Sequence, residues 1–182
     1  ICGRIKAPFA IDWINQYREQ TGKPLVVFTH HRDVLKDIVD GLSKDHTVST
    51  ISGDVSSVQR QERVEGFQEG AIDILVCNTM AAKEGITLTK ADTVLFLERE
   101  WVPTDEEQAE DRVYRIGQES QSVSAVYLSV VNSIDEHFDR VVEAKREVVR
   151  AVLDGGDVQE RQSLVKELVK RLKQQNGWTM EE

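Results

Sequence analysis

Residues 25–77 read LVVFTHHRDVLKDIVDGLSKDHTVSTISGDVSSVQRQERVEGFQEGAIDILVC. Three short β-rich runs, Leu25–Thr29, Thr47–Ile51 and Ile72–Cys77, are separated by two stretches of helical spacing, Asp33–Leu42 and Ser57–Gln68. The first and third runs are almost continuously apolar, the pattern of strands covered on both faces. Working outward, the same alternation continues. A helical pattern at Phe9–Gln20 precedes the block. The runs Thr93–Leu97 and Val123–Leu128 follow it, with a helical pattern at Asp105–Arg115 between them. Repeated βαβ units predict an α/β fold: an open, mostly parallel sheet with helices on both faces and right-handed crossovers.

After Leu128 the pattern becomes helical. Ser133 and Glu136 predict a capping box for a helix reaching Leu153, with Gly155-Gly156 as its stop. A last helix, residues 160–174, repeats Leu164, Leu168 and Leu172. That stripe needs a partner surface, either the domain and its neighbour or a second copy. The predicted division is one domain over 1–153, C-terminal helix included, and a helical tail over 154–182.

Composition narrows the function classes. The chain has 182 residues, 40% hydrophobic and 30% charged, enough to bury a core without cross-links. No apolar run is long enough for a membrane span. No leader pattern opens the sequence, and its first residue, Ile1, suggests a piece of a longer protein. Two cysteines cannot frame a disulfide-rich fold or a four-cysteine zinc site, so an intracellular setting is expected. A net charge of -9 argues against a basic nucleic-acid coat protein, while leaving room for local phosphate contacts.

The most informative stretch for chemistry is Trp101-Val-Pro103-Thr104-Asp-Glu-Glu-Gln108-Ala-Glu-Asp-Arg112-Val-Tyr-Arg115-Ile-Gly117-Gln118. Thr104 and Glu107 predict a second capping box. If the helix runs to Arg115, then Gln108, Arg112 and Arg115 share one face, and Ala109, Val113 and Ile116 share another that packs on the sheet. Two guanidiniums side by side can hold the oxygens of one triphosphate. Surface arginines paired with Glu or Asp would give the same local pattern.

The string QAEDRVYRIGQ, Gln108–Gln118, resembles motif VI of the SNF-type ATPases within the superfamily 2 helicases. Other segments agree in order. Leu25–His30 resembles motif IV, and Ser52-Gly53-Asp54 with Arg60 and Phe67–Gly70 resembles the segment after it. Leu75–Thr79 and Glu84–Thr89 resemble motif V. Ala91–Val94 and Trp101-Val102-Pro103 match the stretch joining motifs V and VI. The Gly85-Ile86-Thr87 form of motif V looks closest to the annealing-helicase branch. The resemblance covers residues 9–150.

The resemblance implies a RecA-like lobe, the second of two that close on ATP and Mg2+ in a motor acting on double-stranded or forked DNA. Arg112 and Arg115 would be its arginine fingers. Gln108, Gly85 and Thr87 would contact nucleotide, Thr87 facing the ribose. Thr29, Gly53, Arg60, Thr79, Lys83 and Trp101 would face DNA. For Thr79 a helix N-cap is an equal and compatible reading, and for Arg60 a structural ion pair. Trp101 would either touch DNA or the other lobe, or pack beneath the arginine helix. The phosphate loop G-x-x-x-x-G-K-[ST] is not found: Gly22-Lys23 precedes Pro24, and Tyr17 stands at the first glycine position. ATP and Mg2+ are therefore expected mainly on the first lobe, and this piece alone is expected to be inactive. A catalytically silent α/β accessory module is the rival reading. His30-His31, with no third ligand nearby in sequence, reads as polar loop rather than metal site, and Cys77 as core.

Overall fold

A computed structural model describes residues 2–153 except 83, 84, 101 and 119, with the side chains of 82 and 148–153 also left aside. Five strands, β1 (Leu25–Thr29), β2 (Val48–Ile51), β3 (Ile74–Asn78), β4 (Thr93–Phe96) and β5 (Ser124–Tyr127), form one sheet in the order β2-β3-β1-β4-β5. Every pairing is parallel, so all strands end on one edge. The helices are α1 (Cys2–Thr21), α2 (Arg32–Leu42), α3 (Ser57–Gln68), α4 (Thr79–Ala82), α5 (Pro103–Glu110) and α6 (Ile134–Leu153). This is the expected RecA-like α/β architecture.

Alternation along the strands splits the core in two. Val26 and Phe28 face a layer built from Val64 and Phe67 of α3, Leu88, Ala109 and Val113. Leu25 and Val27 face Ala10 and Ile14 of α1 and Val34, Ile38 and Leu42 of α2. On the first face Phe28, Phe96 and Tyr127 stack across β1, β4 and β5, with centroids 5.0 and 4.8 Å apart. Each fully buried aromatic or branched side chain contributes about 1.5–3 kcal/mol of burial free energy.

Helix ends differ from expectation where tertiary contacts outvote local signals. Pro8 marks a boundary in sequence, yet α1 runs through it to Cys2. Lys6 explains the extension: its Nζ donates to the Leu128 carbonyl at 3.1 Å and pairs with Asp135 at 2.8 Å. Gly3 lies so close to Glu98 that a Cβ there would sit 2.4 Å from its carboxylate oxygen. At α5 the predicted capping box is not formed. The N-cap is Val102, without a side-chain bond, and Pro103 opens the helix. At α6, Ser133 does cap, its Oγ accepting from Asp135 N at 3.0 Å, and the Asp135 carboxylate accepts from Val130 N at 3.3 Å, upstream of the cap.

The larger correction is the far end of α5. It stops at Glu110, not Arg115. The Arg112 carbonyl, which a continuing helix would offer to Ile116, instead accepts from Leu88 N at 2.7 Å. Tighter i→i−3 bonds, Arg112 N to Ala109 O and Val113 N to Glu110 O, close the helix. Val113 still reaches the core, but Ile116 is fully exposed instead of packing on the sheet. The tail helix and the Gly155-Gly156 stop lie outside the described residues.

Candidate functional site

Crossovers place the loops after β1, β2, β3 and β4 along the carboxyl edge of the sheet, where open α/β folds bind ligands. Thr29 ends β1 and is fully buried. Its carbonyl accepts from the Thr79 hydroxyl at 3.2 Å, where Thr79 opens α4. Thr79 is 1% exposed, so its local role is to stitch the ends of β1 and β3 together. Gly53 follows β2 in the open, beside Arg32, which pairs with Asp54 at 2.9 Å.

The two arginines stand on the turn after α5 rather than on one helical face. Arg115 is exposed, and it is held at two points. Its Nε donates to the Asp111 carbonyl at 3.1 Å, and its Nη1 donates to the Thr87 hydroxyl at 3.1 Å. Arg112 is 8% exposed. Burial, and then the charge of Arg115, push the Arg112 guanidinium below its ordinary pKa. With Leu88 N bonded to Arg112 O, the segment 85–88 and the arginine turn form one unit. Gly85 enters that unit at φ 48°, a left-handed conformation that suits glycine. Gln108 stays behind on α5, exposed to solvent.

Arg60 lies elsewhere. It is buried on the core side of α3 with Val64 and Phe67, near enough to the Cys77 thiol for its charge to bear on it. Burial dominates there and drives the Cys77 thiol far above its usual pKa. Lys83 and Trp101 fall outside the described residues.

A charged cluster behind the turn escaped the sequence reading. Glu106 is fully buried, and its carboxylate accepts from Arg99 Nε at 3.1 Å, Arg99 Nη2 at 2.8 Å, Glu100 N at 2.9 Å and Arg146 Nη2 at 3.1 Å. Arg99 also lies 4.5 Å over the Tyr127 ring. Burial disfavours its charge, but the hydrogen bonds it donates to Glu106 and Glu143 outweigh that and raise its pKa. On the other side of the β4 exit, Glu98 accepts from the backbone N–H groups of both His30 and His31 at 2.9 Å. His31 Nδ1 meets Glu98 at 2.7 Å and His30 Nδ1 meets Glu100 at 3.1 Å. A cavity of about 490 Å³ opens there, walled by Lys6, His30, Glu98, Glu100, Leu128 and Phe138. The sequence signal was the charged run Glu98-Arg99-Glu100 directly after a buried strand, with Glu106 close behind. Among the described residues no group of three His, Cys, Asp or Glu could hold a metal ion, and no helix is long and apolar enough to cross a membrane.

The helicase conserved C-terminal domain matches residues 8–117, more than half of the sequence. The chain belongs to that family. It is 36% identical over 141 residues to SWI/SNF-related matrix-associated actin-dependent regulator of chromatin subfamily A-like protein 1 of Xenopus tropicalis, covering 76% of this chain and 15% of that protein. It is 32% identical over 152 residues to the human DNA annealing helicase and endonuclease ZRANB3, covering 82% of this chain and 14% of that protein. The chain thus spans about a seventh of these relatives. In fold it is similar to the C-terminal part of the Fun30 ATPase domain, with a TM-score of 0.69 at 21% identity over 92% of this chain and 53% of that one. The SNF-type resemblance, with its annealing-helicase leaning, therefore holds.

Proposed function

We propose that this chain is the second motor lobe of an ATP-driven, double-stranded-DNA translocase of SNF type, working inside the cell. One observation carries the reading. The exposed Arg115 guanidinium is tied to both halves of the turn unit, Asp111 and Thr87, next to a second, buried arginine whose charge burial disfavours. Such a pair fits phosphate oxygens, because guanidinium forks match them geometrically and are weakly hydrated. ATP and Mg2+ would bind chiefly to the first lobe and supply the transferable phosphoryl group. On closure, Arg112 and Arg115 meet the charge that develops there. Gly85, Thr87 and Gln108 border the nucleotide. Gly53 lies in the open on the edge that would face a duplex or a fork, Thr29 and Thr79 hold the strand ends of that edge together, and Arg60 braces it from within; Lys83 and Trp101 are taken as further DNA contacts. Lobe closure and reopening then move the DNA contacts by a step. The piece 1–153 acts as the lobe, and 154–182 as an appended tail.

The test is steady-state ATPase of the complete two-lobe protein with no DNA, single strands, duplex and forked DNA. The expected result is stimulation by duplex or forked DNA and no turnover by residues 1–182 alone. Turnover by this piece alone, or none by the complete protein under any condition, would refute the proposal. The second outcome would favour the silent accessory module.

A further inference from the structure

We propose that Glu106 is a positioning residue for the arginine turn, a role that rests on the function proposed above. Its carboxylate ties α5 to two other segments: the β4 exit, through Arg99 and the Glu100 amide, and α6, through Arg146. Arg146 is also paired with Glu107 at 3.6 Å, Glu110 at 3.5 Å and Glu143 at 3.6 Å, and Arg99 with Asp139 and Glu143. The Glu110 carboxylate accepts in addition from the Tyr127 hydroxyl. So α5, only eight residues long, is seated by this ion cluster beside two buried apolar residues, Pro103 and Ala109.

Burying so many charges is a poor way to gain stability, since apolar groups of similar volume often do as well or better. What charges supply is direction. The Arg99 fork grips Glu106 through Nε and Nη2, which fixes orientation as well as place. That orientation passes on to the turn. Asp111 N donates to Glu107 O and Tyr114 N to Glu110 O, so the turn hangs directly from α5. A small rotation of α5 would pull the Arg112 carbonyl off Leu88 N and Arg115 off Thr87. Glu106 touches neither nucleotide nor DNA in this scheme. It acts through the two arginines. Because Arg146 and Glu143 belong to α6, the helix after the sheet shares in the same seat.

The experiment uses the complete two-lobe protein with Glu106→Gln, Arg146→Met and, as control, Arg115→Ala. Duplex-stimulated ATPase, a thermal melt and amide hydrogen exchange are measured on each. With the protein folded at the assay temperature, Glu106→Gln should lower kcat at least ~10-fold with KM for ATP little changed, the signature of a lost transition-state interaction. It should also speed exchange at the Leu88 amide, which the Arg112 carbonyl protects. Arg146→Met should move both readouts the same way, and it carries the test if Glu106→Gln does not fold. Normal kcat and normal Leu88 exchange in a folded variant would overturn the proposal. So would activity that falls only in step with the folded fraction. Normal kcat in Arg115→Ala would instead sink the proposed function, and the Leu88 exchange would still decide whether Glu106 seats the turn.

Discussion

Arg112 and Arg115 look equivalent in the string QAEDRVYRIGQ, but the structure separates them, and the separation can be measured. Arg115 is exposed and makes two hydrogen bonds, to the Asp111 carbonyl and the Thr87 hydroxyl. Exposed bonds of this kind contribute little to folding, so Arg115→Ala should change stability by no more than about 0.5 kcal/mol. An arginine finger, however, supplies about 10³–10⁵ in rate. At 1.36 kcal/mol per tenfold this is roughly 4–7 kcal/mol of transition-state free energy. Arg115→Ala in the complete two-lobe protein should therefore cut kcat by two orders or more, with the melt almost unmoved. Arg115→Lys should restore little, because one ammonium cannot replace a planar fork. Arg112 is 8% exposed and lies between Leu88 and the buried Val113. Arg112→Ala should lower kcat and also cost about 1–3 kcal/mol of stability, since the packing of its long buried stem is lost. The assay is steady-state ATPase at saturating duplex DNA, beside a denaturant or thermal melt of each variant. Normal kcat in Arg115→Ala would refute the assignment of this turn to the ATP site. Equal losses of stability in the two variants would refute the division between them.

Two further expectations follow from burial and charge. Val113 is fully buried while Ile116 is fully exposed, so Val113→Ala should cost about 1.5–3 kcal/mol; Ile116→Ser should leave the melt within about 0.5 kcal/mol. Asp92 is also informative: burial raises its pKa, but bonds from Lys23, Thr93 and Ser120 and the Lys23 charge win, and its folded value is lowered. Its stabilisation is thus complete above the unfolded value of about 3.9 and is lost as pH falls through the lower folded value. Wild type should exceed Asp92→Asn in stability at neutral pH, with the gap closing below about pH 4; a gap constant across that range would show that the carboxylate charge is not involved.

The sheet was legible because its signal is redundant. Leu25–Thr29 is buried at every position and so reads as a strand from composition alone. The expected start of β3 at Ile72 was two residues early, for a reason only the tertiary structure holds. Asp73 and Ile74 donate to the Thr47 carbonyl, and the Asp73 carboxylate accepts from Thr47 N, so this stretch knots the strand starts before the ladder begins. The start of α1 erred in the opposite way: the helical pattern was expected from Phe9, and the helix begins at Cys2. The earlier turns are held by Lys6, whose partners Leu128 and Asp135 lie more than a hundred residues away.

The site was legible in its residue types and not in its geometry. A helical wheel drawn through Gln108, Arg112 and Arg115 assumes that every backbone bond is made within the helix. Here one amide, Leu88 N, takes the Arg112 carbonyl from outside, and the wheel fails beyond Glu110. The failure has a chemical consequence. On a continuing α-helix, Arg115 would be anchored only by its own backbone. On the turn, its guanidinium is also held by Thr87, a residue of the segment expected to border the nucleotide. The departure from regular structure therefore joins the segment 85–88 to the arginine turn, through Leu88 N to the Arg112 carbonyl and through Arg115 to the Thr87 hydroxyl, and the proposed function needs both segments at one nucleotide.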